Sequence, residues 1–328
     1  PHRNWMTEEK YLTLFDDKTF VPPSNYFDDY KSMGTAAKEQ EMQIDGHAMW
    51  GHDFKLLSDP YTGEKTNFNR QLERLTQDQR DKWLAAYTPK NNMFREANLQ
   101  GKELGIWKFN RYIKDYLRTI QSVDDGVGEV LNYLDENGLA DNTIVVYTSD
   151  QGFYLGEHGW FDKRFMYEES LRTPILMRYP KEIKKGTQIN ELIQNLDFAP
   201  TFLDYAGLDI PEDLQGKSFR KIVNKTSSEW RDAIYYTYYE YPSVHMVKRH
   251  YGVRTDRYKL MHFYYDIDEW EMYDLEEDPS EMLNVYDDPA YKDIQTMMHE
   301  RLKEMRKKYG DSDELNKMHL ERYLASRN

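Results

Sequence analysis

Residues 143–149, Thr-Ile-Val-Val-Tyr-Thr-Ser, constrain the fold more than any other stretch of the chain. Ile144, Val145, Val146 and Tyr147 are apolar or aromatic without alternation, which reads as a short strand covered on both faces. An amphipathic helix precedes it. Ile113, Leu117, Ile120, Val123, Val127, Val130, Leu131 and Leu134 recur mostly every third or fourth residue. Gly138 supplies the left-handed residue that commonly ends a helix. Helix, tight turn and buried strand together are the grammar of an α/β sheet. Further strands are predicted over 173–179 and 189–195, and a helix over 198–207, with Asp197 as its N-cap and Gly207 at its end. This part of the chain reads as a mostly parallel sheet flanked by helices.

After Ser227 the texture changes. Segments near 233–241, 248–255, 257–265 and 269–275 are aromatic or β-branched and separated by turn residues, which predicts a small antiparallel sheet. Residues 289–310 predict one terminal helix. The expected organisation is therefore an α/β domain over 1–226 and a smaller α+β subdomain over 227–328. Residues 1–105 are polar, aromatic and weakly periodic, with a short helix expected near 77–87. Such a stretch is expected to be functional or to wrap a core built elsewhere.

Composition narrows the partners. A formal net charge of −14 argues against nucleic acid. The absence of Cys excludes disulfides, thiolate metal sites and a cysteine nucleophile within these residues. No apolar run approaches the roughly 18–20 residues a membrane helix needs, so no membrane span is expected. The opening Pro-His-Arg-Asn-Trp reads like the interior of a longer protein.

The strand at 143–149 ends on Asp150, Gln151 and Gly152. Ligands of open α/β sheets gather beyond the carboxyl ends of strands. A carboxylate beside an amide oxygen suits Ca2+ or Mg2+; taken alone, the pair reads equally well as a turn cap next to a solvated amide. Gly152 lets the backbone turn sharply and approach a ligand. Lys163 and Arg164 follow before the next strand. A cation with Lys and Arg around one pocket suits an oxyanion such as sulfate or phosphate. Farther on, His245, Lys248, Arg249 and His250 stand among aromatics and suit hydrogen bonds to sugar hydroxyls or a uronate. His47 and His52, flanked by Asp45 and Asp53, read as a polar loop ahead of a zinc cluster.

The stretch NTIVVYTSDQGFYLGEHGWFDKRFMYEESLRTPILMRYP resembles the second signature region of the type I sulfatases, in the alkaline-phosphatase-like superfamily. PHRNW, LIQNLDFAPTFLDYAGLDIPEDLQGKSF, YGVRTDRYKL and MYDLEEDPSEMLN resemble further segments of that family. The resemblance implies hydrolysis of sulfate esters, with a formylglycine nucleophile made from a C/S-x-P-x-R motif and a Ca2+ ion on the sulfate. It implies that Asp150 and Gln151 are metal ligands and that Lys163 contacts the sulfate. His2 is implied to be the general acid at the leaving group. Arg164, His245, Arg249 and His250 are expected to contact the substrate. The texture is similar to sulfatases of glycosaminoglycans, which implies a sulfated carbohydrate partner, glucosamine 6-O-sulfate foremost. Family habit implies the periplasm, cell surface, lysosome or exterior.

The chain departs from the pattern in one respect. No C/S-x-P-x-R motif and no convincing early Asp pair occur. The nucleophile and the remaining metal ligands are expected in a missing N-terminal region, which would leave this chain inactive alone. Two alternatives follow. One is a phosphodiesterase or phosphonate hydrolase of the same superfamily, whose two-metal members typically need extra His and Asp ligands, such as a His where Gln151 stands and a later Gly-x-His. A non-catalytic carbohydrate-binding relative would explain the missing motif.

Overall fold

The structure is a computed structural model that describes residues 2–326. Its helices are α1 (Thr35–Glu39), α2 (Phe68–Leu72), α3 (Gln77–Ala97), α4 (Gly101–Glu136), α5 (Glu168–Leu171), α6 (Phe198–Tyr205), α7 (Arg220–Val223), α8 (Lys292–Tyr309) and α9 (Asp313–Ala325). Its strands are β1 (Val145–Thr148), β2 (Tyr154–Leu155), β3 (Phe161–Asp162), β4 (Ile175–Arg178), β5 (Ala233–Tyr238), β6 (His250–Thr255), β7 (Tyr258–Phe263) and β8 (Glu269–Asp274). They divide between two compact units. One comprises Pro1–Asp29, Glu41–Ala140 and Phe153–Lys163; the other comprises Tyr30–Gln40, Asp141–Gly152 and Arg164–Asn328.

The first unit is built on aromatic packing. Trp5, Tyr26, Phe54, Phe109, Tyr112 and Phe161 share one buried cluster, and Phe68, Trp83 and Tyr87 share another. Large rings bury much area per residue, so few positions suffice and periodicity stays weak. α3 runs well past the short helix expected. Its buried residues Trp83, Tyr87, Asn91 and Phe94 fall three or four apart, and Pro89 is carried inside the helix. Thr76 and Gln79 close its start as a reciprocal capping box. α4 lies where the apolar spacing predicts and ends before Gly138, whose φ is +66°. Its buried residues, however, come from the first half, Gly105 to Arg118, and Val130 is 58% exposed. Within that half Arg118 donates to Asp115 at 2.7 Å and to Asp16 at 2.5 Å, and Tyr87 donates to Asp115 at 2.6 Å. Burying these charges is tolerable because each is paired.

The second unit carries the α/β class and the smaller antiparallel subdomain, with local corrections. β1 and β4 pair antiparallel, Val145 opposite Arg178 and Thr148 opposite Ile175. Among the described residues every strand pair is antiparallel. A parallel neighbour needs a long crossover, usually a helix, and the only helical pieces between β1 and β4 are a three-residue 3-10 turn and the four-residue α5. The strand expected at 189–195 does not form; Asn195–Asp197 is a 3-10 turn. Asp197 precedes α6 but does not cap it. Its buried carboxylate accepts from Gln194 N at 2.7 Å, from Lys217 N at 2.9 Å and from the Arg231 guanidinium. That demand from three segments overrides the local cap.

β5 to β8 form a four-stranded meander in sequence order. On one face Val253, Leu260 and Met272 meet Met298, Leu302 and Met305 of α8. Elsewhere in the sheet are fully buried polar groups with partners: Lys259 donates to Glu281 at 2.7 Å, and Tyr167 donates to Glu271 at 2.6 Å. Glu271 also accepts from Gly34 N at 2.8 Å, which fastens the 30–40 segment to the sheet. A second terminal helix, α9, follows the expected one; Ser312 caps its start by accepting from Leu315 N at 3.2 Å.

Candidate functional site

β1 delivers Asp150 to its carboxyl end. The Asp150 side chain is exposed and has no ion pair among the described residues; its one close neighbour is Ser149 Oγ at 3.4 Å from Oδ1. Its backbone is fixed instead, because Asn195 Nδ2 donates to the Asp150 carbonyl at 2.5 Å. Ser149 Oγ also donates to the Gln151 carbonyl at 2.8 Å. An uncommitted carboxylate on an anchored backbone fits a hard cation. Among the described residues no three acidic or histidine side chains converge, so Asp150 and Gln151 offer two of the roughly 6–8 oxygens Ca2+ takes.

Gly152 is required for a reason other than a ligand. A Cβ there would lie 2.1 Å from the Glu169 carbonyl oxygen and 2.7 Å from those of Ser170 and Arg172. Its N–H donates to Ser170 O at 2.9 Å. Close approach to the α5 backbone fixes this residue as glycine.

Arg164 is the most constrained residue near this segment. Its φ is +103°, uncommon for a residue with a side chain. Two hydrogen bonds hold it: its N–H donates to Ser170 Oγ at 2.8 Å, and its carbonyl accepts from Tyr236 OH at 2.7 Å. The guanidinium is thereby aimed at His245, donating through Nη2 to Nε2 at 2.6 Å. Because Nε2 accepts, Nδ1 carries the proton and donates to Glu240 at 2.8 Å. Burial pushes the Glu240 carboxyl up, but hydrogen bonds from Tyr238 and His245 and the Arg164 charge outweigh it and hold it below its usual range. Arg164, His245 and Glu240 thus form an oriented polar chain that can hydrogen-bond a hydroxyl-rich or anionic ligand.

The neighbouring candidates separate. Arg249 is 2% exposed and donates through Nη1 to the Tyr241 carbonyl at 2.8 Å. His250, expected as a substrate contact, is a core residue at 0% exposure. Phe165, Tyr236, Tyr238 and Phe263 surround its ring, and Nδ1 donates to Lys248 O at 2.8 Å. Burial pushes its imidazole down to about 4. β6 is buried on both faces over residues 250–253, so His250 is enclosed by its aromatic neighbours.

In the first unit, two candidate-bearing segments meet. The Arg3 guanidinium lies 4.3 Å from the centre of the Phe161 ring and donates twice to Asp53, at 2.8 and 2.6 Å. This fixes the segment of His2, whose own side chain is exposed, beside β3, which leads into Lys163. Lys163 Nζ is 3.1 Å from Asp162 Oδ1. Asp53 is thus committed to Arg3, while His47 Nδ1 accepts from Gln43 N at 3.2 Å. Sequence reasoning passed over Glu240 and the Arg3–Asp53 clamp. Glu240, five residues before His245 in a Tyr-rich turn, carried a weak signal; the clamp, 50 residues apart, carried none.

Comparisons with known proteins identify the relatives of the chain. The sulfatase family profile matches residues 4–208, and that of the N-sulphoglucosamine sulphohydrolase C-terminal region matches 156–308. An N-acetylglucosamine-6-O-sulfatase of Bacteroides thetaiotaomicron is 48% identical over 318 residues, 95% of this chain and 57% of the relative. An arylsulfatase of Clostridium perfringens is 32% identical over 62% of this chain and 42% of the relative. A solved complex of a protein with its substrate D-glucosamine-2-N,6-O-disulfate superposes with a TM-score of 0.90 at 47% identity, covering 95% of this chain and 64% of that one. The chain spans about half the length of these curated relatives. With the sulfatase profile covering more than half of its residues, the chain belongs to the sulfatase family.

Proposed function

We propose that this chain is the later part of a sulfuric ester hydrolase that removes sulfate from a sulfated carbohydrate, glucosamine 6-O-sulfate of a glycosaminoglycan foremost. The observation that carries this is likeness along nearly the whole chain to an N-acetylglucosamine-6-O-sulfatase. Asp150 and Gln151 would hold Ca2+ or Mg2+, which when bound draws electron density from the sulfate oxygens. The formylglycine of the family supplies the nucleophile when present; these residues include no Cys and no S-x-P-x-R.

The chain's own residues have distinct tasks. Lys163, which directly follows β3, neutralises charge on the sulfate oxygens. His2, as the imidazolium, donates its proton to the departing sugar oxygen. An alkoxide is a poor leaving group, so this proton is worth roughly 10²–10⁴-fold. Arg164 and His245 orient the sugar, with Glu240 holding the His245 tautomer. Gln151, an amide in place of an imidazole, favours a single hard cation over the two-metal arrangement of phosphodiesterases.

Sulfate release by the full-length protein across defined sulfated saccharides tests this. Release from glucosamine 6-O-sulfate is expected, with little turnover of phosphonate monoesters. Preference for the phosphonates, or binding without release, would replace it with one of the two alternatives.

A further inference from the structure

The second unit contains a cavity of about 770 Å³ between the open edge of β5 and helix α9. Its volume lies within the roughly 300–1,000 Å³ of small-ligand clefts. Tyr235, Tyr239 and Tyr309 give it aromatic walls, with the Tyr235 and Tyr309 rings 6.1 Å apart and 16° from parallel. Tyr239 is 61% exposed, an aromatic face held toward water without a packing partner to explain it. Tyrosine rings of this kind offer an apolar plane to the C–H face of a sugar and a hydroxyl at the edge.

The floor of the cavity is charged. Arg249 lines it while only 2% exposed, and no carboxylate pairs with it among the described residues. Nη1 donates to the neutral Tyr241 carbonyl, the Tyr264 side chain is a second neutral neighbour of the guanidinium, and the buried Nε has no partner among the described residues. A buried guanidinium without a counter-ion is costly. Thr237 Oγ1, also on the wall, is buried and without a partner among the described residues. The two wall carboxylates are already engaged: Glu240 by Tyr238 and His245, Asp311 by Tyr235, Arg306 and Asn316. The arrangement lacks one thing, an anionic group on a ligand with a flat apolar face.

We propose that this cavity is a subsite for an acidic pyranose, whose carboxylate or sulfate meets Arg249 while its ring lies against Tyr239. This rests on the proposal of a sulfated carbohydrate substrate and extends it to the neighbouring sugar of the chain. His319 of α9, also on the wall and without a hydrogen bond among the described residues, is placed for a sugar hydroxyl.

The test compares kcat/KM of the full-length protein on glucosamine 6-O-sulfate alone and in disaccharides whose neighbour carries a carboxylate, a sulfate or neither. An acidic neighbour is expected to raise kcat/KM, and the better of the two acids identifies the anion. Tyr239→Ala is expected to cut that advantage roughly fivefold, the scale of one lost aromatic contact. Arg249→Gln removes the distinction between acidic and neutral neighbours; Tyr239, being exposed, keeps the test valid should that variant not fold. An unchanged ratio in Tyr239→Ala overturns the subsite. If the protein cleaves no sulfated sugar, calorimetry with an unsulfated uronic-acid disaccharide separates the two questions. Binding that Tyr239→Ala weakens upholds the subsite without the hydrolase, and no binding by the parent overturns it.

Discussion

Two pieces of sheet in one unit, β1–β4 and β5–β8, are made from similar sequence and end in different surroundings. In β5–β8, Val253, Leu260, Met261, Phe263 and Met272 are all at 0% exposure. In β1–β4, Tyr147 is 39% exposed and Leu176 is 68% exposed. The larger sheet brings its own cover, α8 on one face and the buried Phe165–Tyr167 segment among its core residues. The ribbon has one neighbour per strand among the described residues, and its cover is partial: Ile175 and Met177 pack against the Phe219, Ile222 and Val223 cluster, while Leu176 on the other face is exposed. Two strands alone are marginal in water, and unpaired apolar edges are templates for further pairing. The unalternating apolar run of β1 fits a strand covered on both faces, a cover that the described residues do not supply in full. Relatives that extend well beyond the matched region have the length to supply it. The same ribbon ends on Asp150, so the least covered part of the unit carries the proposed chemistry.

The comparison can be broken or sharpened by experiment. The largest effect is expected at the ribbon's end. Asp150→Ala in the full-length protein should lower sulfate release by about 10²–10³-fold or more, as loss of charge stabilisation at a reacting group does. Its circular dichroism should not change, because the carboxylate is exposed. Activity within a fewfold of the parent would detach β1 from the chemistry.

Next comes the core of the larger sheet. Leu260→Ala should cost about 2–5 kcal/mol in urea unfolding, the scale of a buried leucine removed. His250 gives a pH signature in the same sheet. The unfolded chain takes up a proton near 6.5, whereas burial holds the folded imidazole at about 4. The unfolded state therefore binds more protons between these values, and stability falls as pH drops from 6.5 to 4, by at most about 3 kcal/mol. Buried Glu281, pushed up to about 7, acts in the opposite sense, losing stability as pH rises from 4.5 to 7. The difference between the parent and His250→Gln isolates the histidine: the variant's curve should lack the decline below pH 6.5. Parallel curves would show that His250 is not the source.

Smaller effects follow. His245→Ala should raise KM roughly tenfold with less change in kcat, because it unseats one hydrogen bond to charged Arg164. The least effect is expected at Leu176→Ala, within about 0.5 kcal/mol in this chain, where the side chain is exposed. The same substitution should cost several times more in a longer protein that covers the ribbon. Equal costs at Leu176 and Leu260 in this chain would erase the contrast.

What the sequence made legible follows from range. The end of α4 at Gly138, the four strands of the meander and α8 are written in local pattern, and all form as expected. The pairing direction of β1 and β4 is not local; it depends on what fills residues 149–174. Residues 189–195 have strand-like composition, but Asp197 and Arg231 draw that segment into a turn. The later part of α3 was hidden because its stripe is aromatic and interrupted by Pro89. Asp150, Gln151 and Lys163 could be put forward as candidates because the stretch that carries them is contiguous in sequence. The orientation of His245 by Glu240 and Arg164 needs two distant segments to meet, and His250 was misjudged because β6 is buried on both faces at that point, which composition does not reveal.

The most direct test is a structure of the full-length protein with Ca2+ and glucosamine 6-O-sulfate bound. A cation about 2.3–2.6 Å from an Asp150 carboxylate oxygen, with the sulfate ester against it and Leu176 covered by a neighbouring strand, is the predicted result. A sulfated sugar bound elsewhere, with Asp150 bare toward solvent and Leu176 still uncovered, would contradict it.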